Sequence, residues 1–460
     1  MPGTKLMRLN TSGSCLRRFI TSCLVLVGIT VNAQDLVLTR VNIVFVTTGE
    51  ILTNQAVYIS DGRISAIGPP EPDTQNTFQV IDGQNGYLIP GLAEMHAHVP
   101  SVKRGEQYAR DVMTLFLANG VTTIRGMLGE SWHLELRQTL GQLKWPGPGL
   151  VTSGPSFNGN SVSSPVQAAN RVRQQKSAGY DFLKLHPGLE ADEFNAIAAT
   201  AAQLKIPIAG HVSVAVGLAA ALAAKQATID HLDGYAQEMV APGSDLYGVA
   251  PTFFGINLAS ALDAELAVEL ARKTAEAGVW NVPTQALFEN IFGGSPIDSL
   301  LARPGMKYVG PELTRSWVRS VEKARSGVSA SQQQNFIQTR RQLVYQLQQA
   351  GAGLLLGSDA PQIMNVPGFS AHEELEFLVL AGLTPLQALQ SATINPARFF
   401  GHSDRGTIET GQLADLVLLQ SNPLEDILAS RNIQGVMRGG RWYSKVRLES
   451  MLADVAKRGL

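Results

Sequence analysis

Two histidines stand two apart, His96 and His98, in "LIPGLAEMHAHVP" (88–100), in a chain that has only eight histidines. The apolar run before them reads as a buried strand, and on a strand residues i and i+2 share a face. Both imidazoles therefore converge just past the strand's end, either as a metal seat or by coincidence. What decides is whether other segments deliver groups to the same place. Lys184 ends "DFLKLH", His211 ends "IAGHV", His231 lies in "TIDHLD" and Asp359 in "LLGSDA". Taken singly, each has an ordinary role: a hydrogen-bonded histidine, a snorkelling or ion-paired lysine, an aspartate capping a turn. Taken together, four histidines, a lysine and an aspartate fall at the ends of strand-like segments, and the coincidence weakens.

Those segments are "YLIPGLAEMHAH", "VTTIRGM", "GLVTSGP", "DFLKLH", "PIAGHV", "ATIDHLD", "VWNVPTQ" and "GLLLGSDA". Amphipathic stretches such as "SPVQAANRVRQQKSAGY" and "EADEFNAIAATAAQLK" lie between them. Eight strands alternating with helices over 88–402 predict an α/β fold, a (β/α)8 TIM barrel, with the six polar groups at its C-terminal mouth. Connections at 234–260 and 286–335 are longer than such loops usually are and are candidate walls or lids of a substrate pocket. Both ends of the chain read as β structure. Val- and Ile-rich runs occupy 34–87, with a hairpin signal at Asp61-Gly62, and similar runs occupy 403–460. They predict a small composite β-sandwich domain built from both termini.

The chain has 460 residues, 45% hydrophobic and 16% charged, with a formal net charge of -1. That composition is globular, and without a basic block nucleic acid is excluded as a partner. Residues 1–33 differ from the rest. They hold Lys5, Arg8, Arg17 and Arg18 and no acid, then the apolar "FITSCLVLVGITV", then "VNA". This is the layout of a signal peptide cleaved after Ala33, which places the protein in a periplasm or outside the cell with no stable membrane anchor. Cleavage leaves 33 basic against 38 acidic residues, a net of -5, and removes both cysteines. Any metal must then be held by nitrogen and oxygen ligands.

The chain resembles the amidohydrolase superfamily, in its branch of binuclear hydrolases related to imidazolonepropionase and to prolidase-like and ochratoxinase-like members. The resemblance rests on "PGLAEMHAH", "GYDFLKLH", "AGHV", "IDHLDGY", "LLGSDAP" and "AGLTPLQALQSATINPARFFG…GTIETGQLADLVLL", and covers nearly the whole mature chain. It implies two divalent metal ions, zinc first. His96, His98 and Asp359 would hold one, His211 and His231 the other, and Lys184, N-carboxylated by carbon dioxide, would bridge them. It also implies hydrolysis of the amide bond of a small molecule, an N-acyl amino acid, a dipeptide or an amide-linked toxin such as ochratoxin. A hydroxide shared by the metals would attack, with Asp359 as the catalytic proton carrier. The alternatives are a lactonase or esterase, a mononuclear cyclic-amide hydrolase or deaminase, and a barrel that binds without catalysis. Against a deaminase, "GHVSVAVG" carries no acid after His211. Against Xaa-Pro specificity, "SGPSFNGNSVSS" carries no histidine after the third strand. Candidate substrate contacts are Arg125, for a carboxylate or else as a structural ion pair; Tyr235, as a hydroxyl donor or else a packed aromatic; and His186, on the face of Lys184. The apolar "LYGVAPTFFGI" and "ALFENIFGG" of the long connections suit a hydrophobic pocket or a contact in a homo-oligomer.

Overall fold

Gly91 divides the first apolar run in two. In the computed structural model, which describes residues 35–70 and 78–460, Tyr87–Pro90 belongs to one sheet and Leu92–Ala97 to another. The chain passes so close to Thr122 at this point that a Cβ on residue 91 would lie 2.2 Å from its Oγ1. The sequence signal for one long strand therefore marks two strands joined at a residue with no side chain. The expected signal segment lies outside the described residues, apart from which no helix is long and apolar enough to cross a membrane.

The sheet that takes Tyr87–Pro90 has eight strands and is drawn from both ends of the chain. Its order is Arg441–Ser444, Ile433–Arg438, Leu416–Leu419, Tyr87–Pro90, Leu36–Val44, Ile51–Ser60 and Arg63–Gly68, with Gln79–Asp82 also paired to Leu36–Val44. Asp61 and Gly62 turn the expected hairpin with φ of 50° and 74°, the positive angles that a two-residue hairpin turn demands. Leu38, Ile43, Val57, Ile59, Leu416, Leu418 and Met437 share one apolar core. The ladder is a single continuous sheet, where a sandwich of two was expected, because the C-terminal strands pair directly onto Tyr87–Pro90. The expected C-terminal β part also stops at Ser444. Lys445–Arg458 is a helix, capped by the Ser444 hydroxyl on the Arg447 N–H, and it packs on the helix Glu106–Ala118.

Of the eight strand segments expected between 88 and 402, seven form strands and the eighth is present only as isolated bridges. Leu92–Ala97, Val121–Gly126 and Gly149–Thr152 pair in parallel, as do Leu183–Leu185, Ile208–Gly210, Thr228–Asp230 and Trp280–Val282. Parallel bridges join Ser153 to Phe182 and Phe157 to Leu185. The eighth segment, 354–360, bridges Asn281 through Leu354 and Ala97 through Ala360. Helices between the strands follow from spacing and caps. Pro165–Ala178 starts on the Ser164 hydroxyl, has Pro165 at its first position and stops at Gly179; it buries Ala168, Val172 and Gln175 on one face. The two long connections differ in kind. The first holds a short helix, Tyr235–Glu238, and a 3-10 segment, Phe253–Ala261. The second is mostly helical, with Gln285–Phe292, Ile297–Leu301 and Pro311–Arg325 ahead of Ala330–Gln349.

Candidate metal centre

Parallel strands expose their C-terminal ends at one mouth, and the six residues singled out in the sequence meet there. His96 and His98 arrive on Leu92–Ala97 and just beyond it, with His98 Nε2 2.7 Å and His96 Nε2 3.3 Å from the same Asp359 oxygen. Ligand atoms of these three residues all lie within 4.8 Å of one another. The imidazoles continue as a row. Ring centres are 5.6 Å apart for His98 and His96, 4.5 Å for His96 and His231, 4.5 Å for His231 and His211, and 4.9 Å for His211 and His186. Lys184 lies fully buried beneath the row, 3.9 Å from an Asp230 oxygen. Gly210 makes room for it. At φ +120° its missing Cβ would sit 2.5 Å from the Leu185 carbonyl oxygen and 2.8 Å from Lys184 Cδ.

Convergence alone does not make a metal site; the unpartnered atoms do. Both nitrogens of His96, Lys184 Nζ and Asp359 Oδ1 are buried and lack an aligned hydrogen bond. The close His96–Asp359 and His98–Asp359 approaches are contacts of ligand atoms off the hydrogen-bond line. Buried polar groups are seldom left so, and a set of nitrogen and oxygen donors fits a divalent cation. The electrostatics agree. Burial first, then the Lys184 charge, holds His96 well below the usual imidazole range and brings His211 down to about 3. Burial and then His96 do the same to His231. All three are neutral, the form that binds metal. Burial brings Lys184 down to about 8, partly offset by Asp230.

Hydrogen bonds on the far nitrogens fix the tautomers. The Thr284 hydroxyl donates to the Pro283 carbonyl at 2.7 Å, so it accepts from His231 Nδ1 at 2.9 Å. His211 Nδ1 bonds Asp233 at 2.7 Å. In His231, Nε2 therefore keeps its lone pair. Glu94, two residues before His96, accepts the His96 N–H at 3.0 Å, the Ser358 N–H at 2.8 Å and the Ser358 hydroxyl at 2.7 Å. It ties the first strand to the eighth segment just before Asp359.

Two of the three suggested substrate contacts lie elsewhere. Arg125 is 1% exposed and its guanidinium is taken: Nε donates to the Met95 carbonyl at 2.7 Å, and the terminal nitrogens reach Thr228 at 3.2 Å and Asp230 at 3.3 Å. Of the two roles suggested for it, the structure takes the ion pair. Tyr235 is 1% exposed, with its hydroxyl bonded to Thr274 at 2.8 Å and Asn281 at 3.1 Å, so it packs behind the sixth strand and not in the mouth. His186 alone stays with the site, stacked on His211. Sequence reasoning missed Asp230, Asp233, Thr284 and Glu94. Asp230 lies 2.9 Å from His96 Nδ1; burial pushes its carboxyl up, but Arg125 and Lys184 together outweigh burial and hold it below the usual range. The i, i+2 rule applied to "TID" puts Thr228 and Asp230 on one face, and applied to "EMH" does the same for Glu94 and His96. Thr284 left no such signal, because it lies beyond another strand, Trp280–Val282, just ahead of the helix Gln285–Phe292.

The Amidohydrolase family model matches residues 87–443. Among curated relatives, an adenine deaminase of Staphylothermus marinus is 37% identical over 95 residues, 20% of this chain and 15% of that protein. An ochratoxinase of Aspergillus niger is 34% identical over 100 residues, 20% of each chain. The chain thus spans a fifth or less of the length of these two relatives. Among solved structures, bottromycin amidohydrolase superposes with a TM-score of 0.71 at 22% identity, over 92% of this chain and 90% of that one; the two share a fold.

Proposed function

The chain belongs to the amidohydrolase family, and from that membership we propose that it hydrolyses the amide bond of a small molecule with two divalent cations, on a (β/α)8 barrel. The substrate is an N-acyl amino acid, a dipeptide or an amide-linked toxin; the ochratoxinase relative favours a substrate of this kind. The observation that carries the reading is the set of buried, unpartnered donors at one mouth: His96, Lys184 and Asp359, beside His98, His211 and His231.

His96, His98 and Asp359 would hold one cation and His211 and His231 the other, through the nitrogens facing away from Thr284 and Asp233. Zinc suits this donor set. Lys184 would carry a carbamate for the two: its neutral amine would add carbon dioxide and release one proton. Burial, which brings this lysine down to about 8, raises the share of neutral amine near neutral pH. The bound cations supply water of lowered pKa and polarise a carbonyl. Asp359, at the mouth, takes the proton of the attacking water and hands it to the departing nitrogen. Arg125 neutralises Asp230 and so keeps Lys184 and His96 in place.

The test is a screen of N-acyl amino acids, dipeptides, lactones and aryl esters on metal-replete protein, beside Lys184→Ala. The expected result is amide hydrolysis with two metals per chain, and loss of both bridging metal content and activity in the variant. A variant that keeps two metals and full activity refutes the carbamate bridge, and a preference for esters over every amide moves the activity to a lactonase or esterase. Export is part of the same proposal: the N-terminus of the mature protein should begin at Gln34.

A further inference from the structure

A cavity of about 500 Å³ opens beside the centre. One side is formed by Leu189, Val212 and Val214, the other by Phe253 and Phe254 from the first long connection. Phe254 abuts the metal-site imidazoles, its ring centre 5.3 Å from that of His231 and 6.1 Å from that of His211. Both phenylalanines have left-handed backbones, φ 39° and 61°, a conformation bulky side chains rarely adopt. Aromatic edges hold them there: Phe254 against Phe288 at 5.0 Å and Phe253 against Phe292 at 5.9 Å. A strained pair pinned between the centre and an apolar void fits a wall built for a ligand.

The charges of the cavity are one-sided. Glu190 and Asp233 line it, and among the described residues no lysine or arginine does. A carboxylate placed here would leave water for apolar walls and the Glu190 charge, with no lysine or arginine among the lining residues to pair it. Arg125, which the sequence suggested for a substrate carboxylate or a structural ion pair, is spent on Asp230. The walls themselves favour carbon.

Resting on the hydrolase reading above, we propose that this cavity receives an uncharged apolar group of the amide substrate, an aryl or branched alkyl group, and excludes a carboxylate-bearing one. Any carboxylate of the substrate lies on the other side of the scissile bond. Phe254 and Val214 set this preference.

The test compares phenylacetamide and succinamate as ligands of the metal-loaded protein by calorimetry, and the 4-nitroanilides of phenylacetic, acetic and succinic acid as substrates. Phenylacetamide should bind at least about tenfold tighter than succinamate, and Phe254→Ala should remove about that factor. Val214→Arg places a cation on an exposed part of the wall, Val214 being 56% exposed, and should turn the preference toward the succinyl compounds. Circular dichroism and metal content confirm that both variants are folded and loaded. Equal or tighter binding of succinamate by the unaltered protein overturns the proposal, as does a ratio unmoved by Val214→Arg in folded, loaded protein. The two readings fail separately. Anilide hydrolysis without acyl preference sinks the cavity proposal and leaves the hydrolase; selective phenylacetamide binding without any hydrolysis supports the cavity and sinks the hydrolase.

Discussion

The tautomer of His231 is set at Pro283, just past the end of the neighbouring strand Trp280–Val282. The Thr284 hydroxyl has one proton, and the Pro283 carbonyl takes it, so the imidazole can only donate to it from Nδ1. Thr284→Val removes the acceptor and frees the ring to flip; metal affinity should fall about 10- to 100-fold, read by competition with a chelator, and Thr284→Ser should restore it. His231 itself was legible in the sequence, since its strand announces it. Thr284 was not, because tautomer control depends on which strands become neighbours. Arg125 shows the same limit: strand position told which way it points, but not that Asp230 lies across the ring to absorb its charge. A second residue-scale prediction concerns His372, buried between the Asn119 carbonyl and the Ser430 hydroxyl, each 3.0 Å away. Burial first, then Arg431, brings it down to about 4. Between about 6.5, the unfolded value, and about 4 the unfolded chain binds the extra proton and the folded one does not, so stability falls as pH drops through that window. The loss approaches about 3 kcal/mol. Urea midpoints at fixed metal concentration should decline from pH 7 to pH 4, and less steeply in His372→Gln; parallel slopes would refute the assignment.

At the scale of elements, short strands carry the centre and their ends must be spaced to within a side chain. Ile208–Gly210 has only three residues, and its last one lets the Lys184 stem pass. Gly210→Ala puts a methyl group against the Leu185 carbonyl and the lysine chain in a backbone region that alanine avoids. We expect a loss of about 2–4 kcal/mol in urea unfolding, together with a lower metal content per chain. Unchanged stability would mean that the strand end relaxes freely and does not gauge the lysine. The strands were readable because β-branched runs and turn residues mark them locally. The division at Gly91 was not, since the close approach of Thr122 that requires it is a tertiary fact. The second long connection is half legible. "ELTRSWVRSVEKAR" has helical spacing around Trp317 and Val321, the residues it buries, but the sequence alone did not say that this helix packs on Gln285–Phe292.

Across the whole molecule, the ends of the chain do two different jobs. The composition of 34–87 and 403–460 predicts shared β structure, and the sheet joins the two through Leu416–Leu419 on Tyr87–Pro90. The last residues instead return to the helices around the ring. Arg458 donates two hydrogen bonds, 2.9 and 2.7 Å, to the buried Asp111 on Glu106–Ala118. The Leu460 N–H donates to the Tyr308 carbonyl at 2.7 Å, and the Leu460 carbonyl accepts from Gly310 at 2.8 Å. Arg458 and Leu460 thus clamp the helix Glu106–Ala118 to the helical second connection, far along the chain from both. Nothing local in "LADVAKRGL" reveals this, because a basic residue in a last helical turn is ordinary helix chemistry. Arg458→Ala should leave Asp111 with its single bond from Gln107 at 2.9 Å and cost about 1–2 kcal/mol, the range for a buried acceptor stripped of part of its partners and moderated by the half-exposed guanidinium. Because neither Asp111 nor Arg458 touches the centre, metal content at room temperature should be unchanged. A thermal midpoint equal to that of the unaltered protein would show that the clamp is ornamental, whereas lost metal at room temperature would show that the clamp governs the geometry of the mouth.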